Sequence, residues 1–375
     1  MALSRPLWSA AGTAPDHGFH PLRVIRVISE TAEASSFVLE VPEELRPLFA
    51  YDAGQFCTFR VHVEDRVHLR CYSMSSSPAV DPELMVTVKR TPGGVVSNWM
   101  NDRLREGDTV EATRPAGVFR LGPGHGDVVA FSAGSGITPV LSLVKTALAT
   151  TTRRVRLLYA NQHRDAVIFG AELDALARQY DDRLSVSHHL DIDRGLVQPE
   201  TIGDFANGAE FADSADSADS ADSVAEFYIC GPGPFMDVVE QSLHSHGVTP
   251  ARIHIERFTP AAWMQDVEPA PSPTAAPAEE AVTQVTVELE GRTSTADYRP
   301  GTTILQTARQ MGMAPPFSCE SGSCATCMAR LVEGTVSMHA NNALTDDEVA
   351  EGWILTCQAV PTSPSVHAVY SYEEG

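Results

Sequence analysis

CESGSCATC, residues 319–327, sets three of the chain's seven cysteines in one short loop whose other residues are almost all small. Thiolates crowded this closely repel one another unless something cationic sits among them, so the stretch predicts a metal centre. The ligand candidates are Cys319, Cys324 and Cys327, spaced C-x4-C-x2-C, with a fourth, Cys357, further on in WILTCQ, 353–358.

That spacing, with three ligands from one loop and the last from a distant segment, is the plant-type [2Fe-2S] arrangement. Ser321, Gly322, Ser323 and Ala325 between the ligands are small enough to let backbone N–H groups approach the cluster and offset its negative charge. The rival is structural zinc. A four-cysteine zinc ribbon normally contributes two C-x2-C knuckles, and this chain has one.

Working outward, TQVTVELEGRTSTADYRPGTTILQTARQMGM predicts a hairpin and then a helix leading into the cysteine loop. Before it, residues 259–281 are rich in Pro and Ala without periodicity, the composition of a tether between domains. Residues 212–223 repeat the triplet ADS four times, too polar and acidic to bury anything, which predicts a disordered surface insert.

The stretch from about residue 125 to the tether alternates apolar strand, glycine-rich turn and helix. It runs through DVVAFSAGSGITPVLSLVKTAL, RVRLLYANQ, GAELDALARQY, RLSVSHHLD and AEFYICGPGPFMDVVEQSLHSHG. Such alternation predicts a parallel α/β sheet with ligands at the carboxyl ends of its strands. The first third carries short β-like runs separated by turn signals, HPLRVIRVISE, SFVLEVP, GQFCTFRVHV, VHLRCYSM, LMVTVKR and DTVEATRP, interrupted by one helix candidate, SNWMNDRLREG. They are spaced as in a small antiparallel β-barrel.

The fold class expected is therefore multidomain, all-β followed by α/β. A barrel spans 18–122, a nucleotide-binding α/β domain 123–258, a linker 259–281, and a β-grasp ferredoxin domain 282–375.

At 375 residues with 43% hydrophobic composition, the chain can bury several cores. Its formal charge of -22 would repel phosphate backbones and anionic lipid, which argues against nucleic-acid or stable membrane association. The sequence has no signal-like opening and no apolar run near ~18 residues, so a cytoplasmic protein is expected. An odd cysteine count in such a chain favours metal ligands or reduced thiols over disulfides.

Cofactor candidates follow the strands. In RCYSMSSSP, alternation puts Arg70, Tyr72 and Met74 on one face, with Cys71 and Ser73 on the other. A guanidinium beside an aromatic ring suits a planar anionic ligand, although a strand tyrosine is also ordinary packing. In GGVVSNWM, Gly94 and Ser97 precede helix N–H groups able to bind a diphosphate, unless Ser97 is simply an N-cap. AGSGITP and CGPGPFM each follow an apolar strand and open a helix. Gly134 and Gly136 would let backbone approach a pyrophosphate, and Thr138 brings a hydroxyl there. Cys230 is either a buried strand-end thiol or faces the nicotinamide. Cys57 and Cys71 are expected in the core.

Together, RCYS at 70–73, GVVS at 94–97, GSGITP at 134–139, CGPGPFM at 230–236, IERF at 255–258 and the four cysteines resemble the ferredoxin-NADP reductase superfamily fused to a plant-type ferredoxin. Within it the chain is most similar to reductase components of bacterial two-component oxygenases. Those of 3-ketosteroid 9α-hydroxylases come first, and those of phenylacetyl-CoA oxygenases are more distant. The resemblance implies FAD held by Arg70, Tyr72, Ser73, Met74 and Lys89, with its diphosphate at Gly94, Val95, Val96 and Ser97. It implies the nicotinamide nucleotide at Gly134, Ser135, Gly136, Thr138 and Pro139 and at Cys230, Gly231, Pro232, Phe235 and Met236. Tyr72, Thr138, Cys230, Glu256 and Phe258 would stand around the reacting rings, although a strand-end aromatic also explains Phe258.

The chemistry fits this content. A nicotinamide gives up two electrons as hydride and a [2Fe-2S] cluster accepts one at a time, so a flavin is required between them. Plant-type clusters lie near about -400 mV and Rieske centres at about -150 mV or above, so transfer to a Rieske-type terminal oxygenase is favoured by roughly four decades.

From residue 282 onward, 11 acidic residues face 4 arginines and no lysine, which suits a basic docking patch on the acceptor or plain solubility. NADH is expected rather than NADPH. Among the residues at the ends of the second and third strands, Arg164 could meet a 2′-phosphate but Asp191 and Asp193 would repel it. A monomer is expected. The competing readings are a reductase for another monooxygenase or a fatty-acid desaturase, and a redox-sensing or binding protein whose last domain holds zinc or no metal.

Overall fold

The structure is a computed structural model describing residues 18–64, 66–206, 224–258, 284–289, 291–317 and 319–370. The ADS insert and the tether lie outside the described residues. The chain divides into two compact units, one running to Phe258 and the other from Thr259 onward. Among the described residues no helix is long and apolar enough to cross a membrane.

The first unit opens with β1 (His20–Thr31), β2 (Ala34–Glu40), β3 (Phe56–Val63), β4 (Arg66–Ser73) and β5 (Leu84–Lys89), then α1 (Val95–Arg103) and β6 (Thr109–Ala112). The six strands are antiparallel neighbours in the order β4-β3-β6-β1-β2-β5. Inward-facing Leu22, Val24, Phe37, Leu39, Cys57, Phe59, Val86 and Val88 form the barrel core. Helix α1 closes it with Val96 and Met100, and Leu104 follows just past its end. Val96 and Met100 stand four residues apart on one helical face, and Leu104, the C-cap, joins them in the core. Burying each contributes about 2 kcal/mol. The helix begins two residues earlier than the sequence predicts. Its N-cap is Gly94, and the Ser97 hydroxyl accepts from the Thr91 N–H at 3.2 Å, so Ser97 is not the cap.

The second half of this unit runs β7 (Val128–Ala133), α2 (Ile137–Thr150), β8 (Val155–Asn161), α3 (Gly170–Gln179), β9 (Leu184–Leu190), α4 (Asp191–Arg194), α5 (Pro199–Ala206), β10 (Glu226–Cys230), α6 (Gly233–Ser245) and β11 (Ile253–Glu256). Its sheet is wholly parallel, in the order β11-β10-β7-β8-β9. Every residue of β7 is buried because helices cover both faces. Ala130, Leu157, Tyr159 and Cys230 meet α2 and α3, while Phe131, Leu158 and Ile229 meet α5 and α6. The chain reverses its direction of travel between β7 and β10, so the ligand crevice of such a sheet falls outside the carboxyl ends of these two strands.

A polar seam joins the barrel to this sheet. Ser142 Oγ donates to the Ser76 carbonyl at 2.6 Å, and Ser77 and Thr146 hydroxyls meet at 2.7 Å. Lys145, buried, reaches Asp81 at 2.6 Å and Glu172 at 2.8 Å.

The second unit comprises β12 (Gln284–Leu289), β13 (Arg292–Asp297), α7 (Ile304–Gln310), β14 (Met328–Glu333), β15 (Val336–Met338), α8 (Asp346–Ala350), β16 (Trp353–Leu355), β17 (Ala359–Pro361) and β18 (Ser365–Tyr370). It is a β-grasp fold, with a mixed sheet in the order β13-β12-β18-β14-β16 and a small β15-β17 pair. Strand β12 alternates strictly, burying Val285, Val287 and Leu289. Helix α7 starts at a capping box of Thr303 and Gln306. It presses Ile304 and Ala308 into the sheet core and Leu305 into a second cluster with Cys327 and Cys357.

Candidate functional site

At the barrel, β4 carries Arg70, Tyr72 and Ser73 in antiparallel register with β3, Tyr72 opposite Cys57 and Arg70 opposite Phe59. The Tyr72 ring is half-buried, its centroid 5.8 Å from that of Phe59, and burial pushes its hydroxyl pKa upward. Ser73 is buried with its hydroxyl unpartnered among the described residues. Such an orphan is expensive unless a ligand satisfies it. Arg70 donates only to the Leu69 carbonyl, at 2.7 Å, and pairs with no carboxylate among the described residues. Met74, assigned by the sequence to the cofactor, is fully buried, with Sδ 3.7 Å from Cys57 Sγ, so it packs the barrel. The first turn of α1 has no side-chain cap, which leaves the N–H groups of Val95, Val96 and Ser97 pointing outward. A planar flavin with a diphosphate fits this donor set.

At the switch point, a 3-10 turn over Gly134–Gly136 links β7 to α2, and neither α2 nor α6 has a side-chain cap. Gly134 has φ 53°, and the nearest atom to a Cβ there would be Lys89 Nζ, at 3.5 Å. The structure thus brings a barrel lysine to the glycine turn of the sheet domain. The Tyr159 hydroxyl donates to the Gly134 carbonyl at 3.0 Å and the Thr138 hydroxyl to the Ser135 carbonyl at 3.0 Å, fixing the turn from both sides. A Cβ on Gly136 would collide with the Cys230 carbonyl, so this glycine serves helix-strand packing as well as any ligand. Gly231 packs likewise on Phe235 and Ala133, and Met236, in the first turn of α6, is buried. Gly233, at the first turn of α6, faces open space.

Cys230 lies in register with Ser132 on one side and Glu256 on the other. It is fully buried, and desolvation followed by the Glu256 charge pushes its thiol up, so it stays protonated. Phe258 is exposed at the end of this segment. Sequence reasoning passes over Ser132, whose buried hydroxyl has no partner among the described residues. The signal was available: it is the single polar residue in the otherwise apolar run VVAFSA. The Ile192 N–H donates to the Gln162 carbonyl at 3.0 Å, which joins the ends of β8 and β9. Arg164, in a 3-10 turn after β8, and Asp191 and Asp193, in α4 after β9, therefore follow neighbouring strand ends.

In the second unit the four predicted cysteines fall into two neighbouring pairs, Cys319 with Cys324 and Cys327 with Cys357. Cys324 beside it and then burial push the Cys319 thiol up, and Cys357 and burial do the same to Cys327. Cys357 moves the other way because the Cys327 thiol donates to it. N–H groups of Ser321 and Ser323 each point at Cys319 Sγ from 3.4 Å. Among the described residues no three ligating side chains close around a single ion point. Four cysteines from one loop and one distant segment, with backbone N–H donors at Cys319, fit a [2Fe-2S] cluster. Four thiolates here need the positive charge that ferric iron supplies.

Comparison with known proteins agrees. Residues 21–121 match the model of the oxidoreductase FAD-binding domain, 131–241 that of the oxidoreductase NAD-binding domain and 287–362 that of the 2Fe-2S iron-sulfur cluster binding domain. Fold and site define a flavin- and iron-sulfur-dependent electron-transfer oxidoreductase using FAD, a nicotinamide nucleotide and a [2Fe-2S] cluster.

The ferredoxin reductase component of 3-ketosteroid-9-alpha-monooxygenase from Rhodococcus rhodochrous is 38% identical, covering 91% of this chain and 94% of its own. The glycine betaine monooxygenase reductase subunit of Pseudomonas aeruginosa is 32% identical over 92% of this chain and 94% of its own. A component of the 1,2-phenylacetyl-CoA epoxidase of Escherichia coli is 30% identical over 93% of this chain and 96% of its own. Phthalate dioxygenase reductase has the same fold, with a TM-score of 0.56 at 24% identity over 94% of this chain and 98% of its own. The chain belongs to the family of oxygenase reductase components that carry FAD-binding, NAD-binding and [2Fe-2S] domains.

Proposed function

We propose that the chain is the NADH-oxidising reductase of a two-component, Rieske-type oxygenase that hydroxylates a 3-ketosteroid. The observation that carries this is the 38% identity to a 3-ketosteroid-9-alpha-monooxygenase reductase component along nearly the whole of both chains. When bound, FAD accepts hydride from the nicotinamide and the cluster accepts single electrons from the flavin.

On this reading residues 18–122 hold FAD, 123–258 the nucleotide and 282–375 the cluster. Tyr72 lies against the flavin ring, with Arg70 and Ser73 beside it, and the uncapped turn Gly94–Ser97 takes the diphosphate. Residues 134–139 hold the nucleotide phosphates, with Lys89, which the resemblance gives to FAD, at the same turn. Cys230, Pro232, Phe235, Glu256 and Phe258 surround the nicotinamide and keep water away. Protonated Cys230 adds no charge there, which suits hydride transfer. The carboxylates of Asp191 and Asp193 near Arg164 support NADH over NADPH.

The test is reconstitution of the full chain with candidate terminal oxygenases, following NADH consumed against product formed. Tight coupling with a 3-ketosteroid oxygenase is expected, with at least about tenfold higher kcat/KM for NADH than for NADPH, a difference of ~1.4 kcal/mol. Better coupling to a glycine betaine oxygenase would overturn the steroid assignment, and equal use of NADPH the nucleotide assignment.

A further inference from the structure

The ligand loop of the second unit adopts a backbone that L-residues resist. Glu320, Gly322 and Ala325 have φ of 51°, 75° and 56°. Gly322 needs to be glycine, since a Cβ would lie 2.7 Å from the Ala340 carbonyl oxygen and 3.0 Å from Gln358 Cγ. A left-handed glutamate, in contrast, costs on the order of 1 kcal/mol and persists only where its surroundings over-determine it.

Two contacts do so at Glu320. Its carboxylate accepts a fork from Arg309 on α7, at 3.0 and 3.3 Å, and that guanidinium covers the Phe317 ring at 3.8 Å. Its carbonyl accepts from Gln358 Nε2 at 2.7 Å. The same Nε2 stands 3.7 Å from Cys357 Sγ. On the other side of Cys357, the buried Thr356 hydroxyl donates to the Cys327 carbonyl at 2.8 Å and accepts from Tyr370 at 2.7 Å. The two neighbours of the last ligand thus reach in opposite directions. Thr356 ties Cys357 to the other member of its own pair, and Gln358 ties it to the segment bearing the Cys319 pair.

We propose that Gln358 is a positioning residue for the metal centre: through Glu320 and Arg309 it sets the separation of the two sulfur pairs, and its amide N–H, turned towards Cys357, favours the reduced centre. This rests on the reading of the four cysteines as [2Fe-2S] ligands. Reduction adds one electron and no proton to the centre, so the added negative charge is stabilised by a nearby donor and destabilised by its loss. Nothing in the spacing C-x4-C-x2-C requires a glutamine after the fourth cysteine.

The experiment compares full-length holoprotein with Gln358→Leu by EPR at poised potentials and by the rate of iron release to a ferrous chelator. The variant is expected to keep the wild-type iron content, to shift its g values and to release iron faster. Its reduction equilibrium should fall three- to tenfold, the upper limit being about 59 mV for one electron. Arg309→Gln, which touches no sulfur, is expected to speed iron release and move the potential less. Wild-type potential and wild-type iron release in Gln358→Leu would overturn the inference. If that variant accumulates without iron, Gln358→Asn decides. A lowered potential in it supports the role and an unchanged one removes it. Wild-type protein without iron or EPR signal would instead defeat the cluster reading itself, and the inference with it.

Discussion

At Gly136 there is no room for a methyl group, because the Cys230 carbonyl occupies the place a Cβ would take. Gly136→Ala is expected to lower the melting temperature and raise KM for the nicotinamide nucleotide together, a loss of about 2 kcal/mol or more, measured by thermal unfolding and steady-state kinetics. The sequence assigns this glycine to a pyrophosphate, and its strand neighbour is invisible there, since Cys230 is 94 positions away. The cysteines behave oppositely. Their roles are legible because ligation chemistry dictates spacing. Cys324→Ser is expected to abolish the iron-sulfur EPR signal and electron delivery to cytochrome c, while NADH-driven ferricyanide reduction, taken directly from the flavin, stays near the parental rate. Arg309, Glu320 and Gln358 escape sequence reading because their contacts join positions 11 and 38 residues apart with no periodic signature. Ser97 shows a different failure. The serine at the fifth position of GGVVSNWM looks like a cap, but Gly94, three residues before it, already fits the non-helical φ and ψ of the boundary.

Among elements, those with a strict period are recovered and those without one are lost. The six barrel strands and the β7-α2, β8-α3 and β10-α6 units follow from alternation and from unbroken apolar runs. Beyond the cysteine loop, β15, β16 and β17 are three residues each, too short for alternation to register, and only long-range pairing, β16 with β14 and β15 with β17, defines them.

Strands β10 and β11 carry a charged cluster at their amino ends. Glu226 accepts from Arg153 at 2.5 Å and from the Tyr228 hydroxyl at 3.3 Å, with His254 Nε2 3.6 Å away and stacked on the Tyr228 ring. Burial opposes the Glu226 charge, but His254 and Arg153 outweigh it and hold the carboxyl at about 2, below its ordinary 4.5. A carboxyl depressed on folding stabilises the fold above its unfolded pKa. That stability is lost as pH falls from about 4.5 through about 2, on the order of 3 kcal/mol. Denaturant unfolding between pH 5 and pH 2 is expected to show this slope, and Glu226→Gln to lower stability at pH 7 while flattening it.

For the whole molecule, a charge of -22 makes association with any electron acceptor an electrostatic matter. If the acidic surface of the ferredoxin unit meets a basic patch, second-order reduction of a basic acceptor such as cytochrome c should fall several-fold between low salt and ~0.3 M, as the Debye length shrinks below about 6 Å. Flavin reduction by NADH under single-turnover conditions should change far less. An acceptor rate indifferent to salt would leave the charge as a solubility device.

The β-grasp sheet carries one more implication, for synthesis in the cell. Strand β18 sits between β12 and β14, and its Ser365 pairs with Gln284, so a nascent chain makes one flank of the sheet long before the strand that fills its middle. At ~5–20 residues per second, several seconds separate the two. Cys319, Cys324 and Cys327 leave the ribosome in that interval, without their shelter and ahead of Cys357. Iron and sulfide delivery must therefore follow translation of this unit, and an oxidant present during those seconds would reach the thiols first.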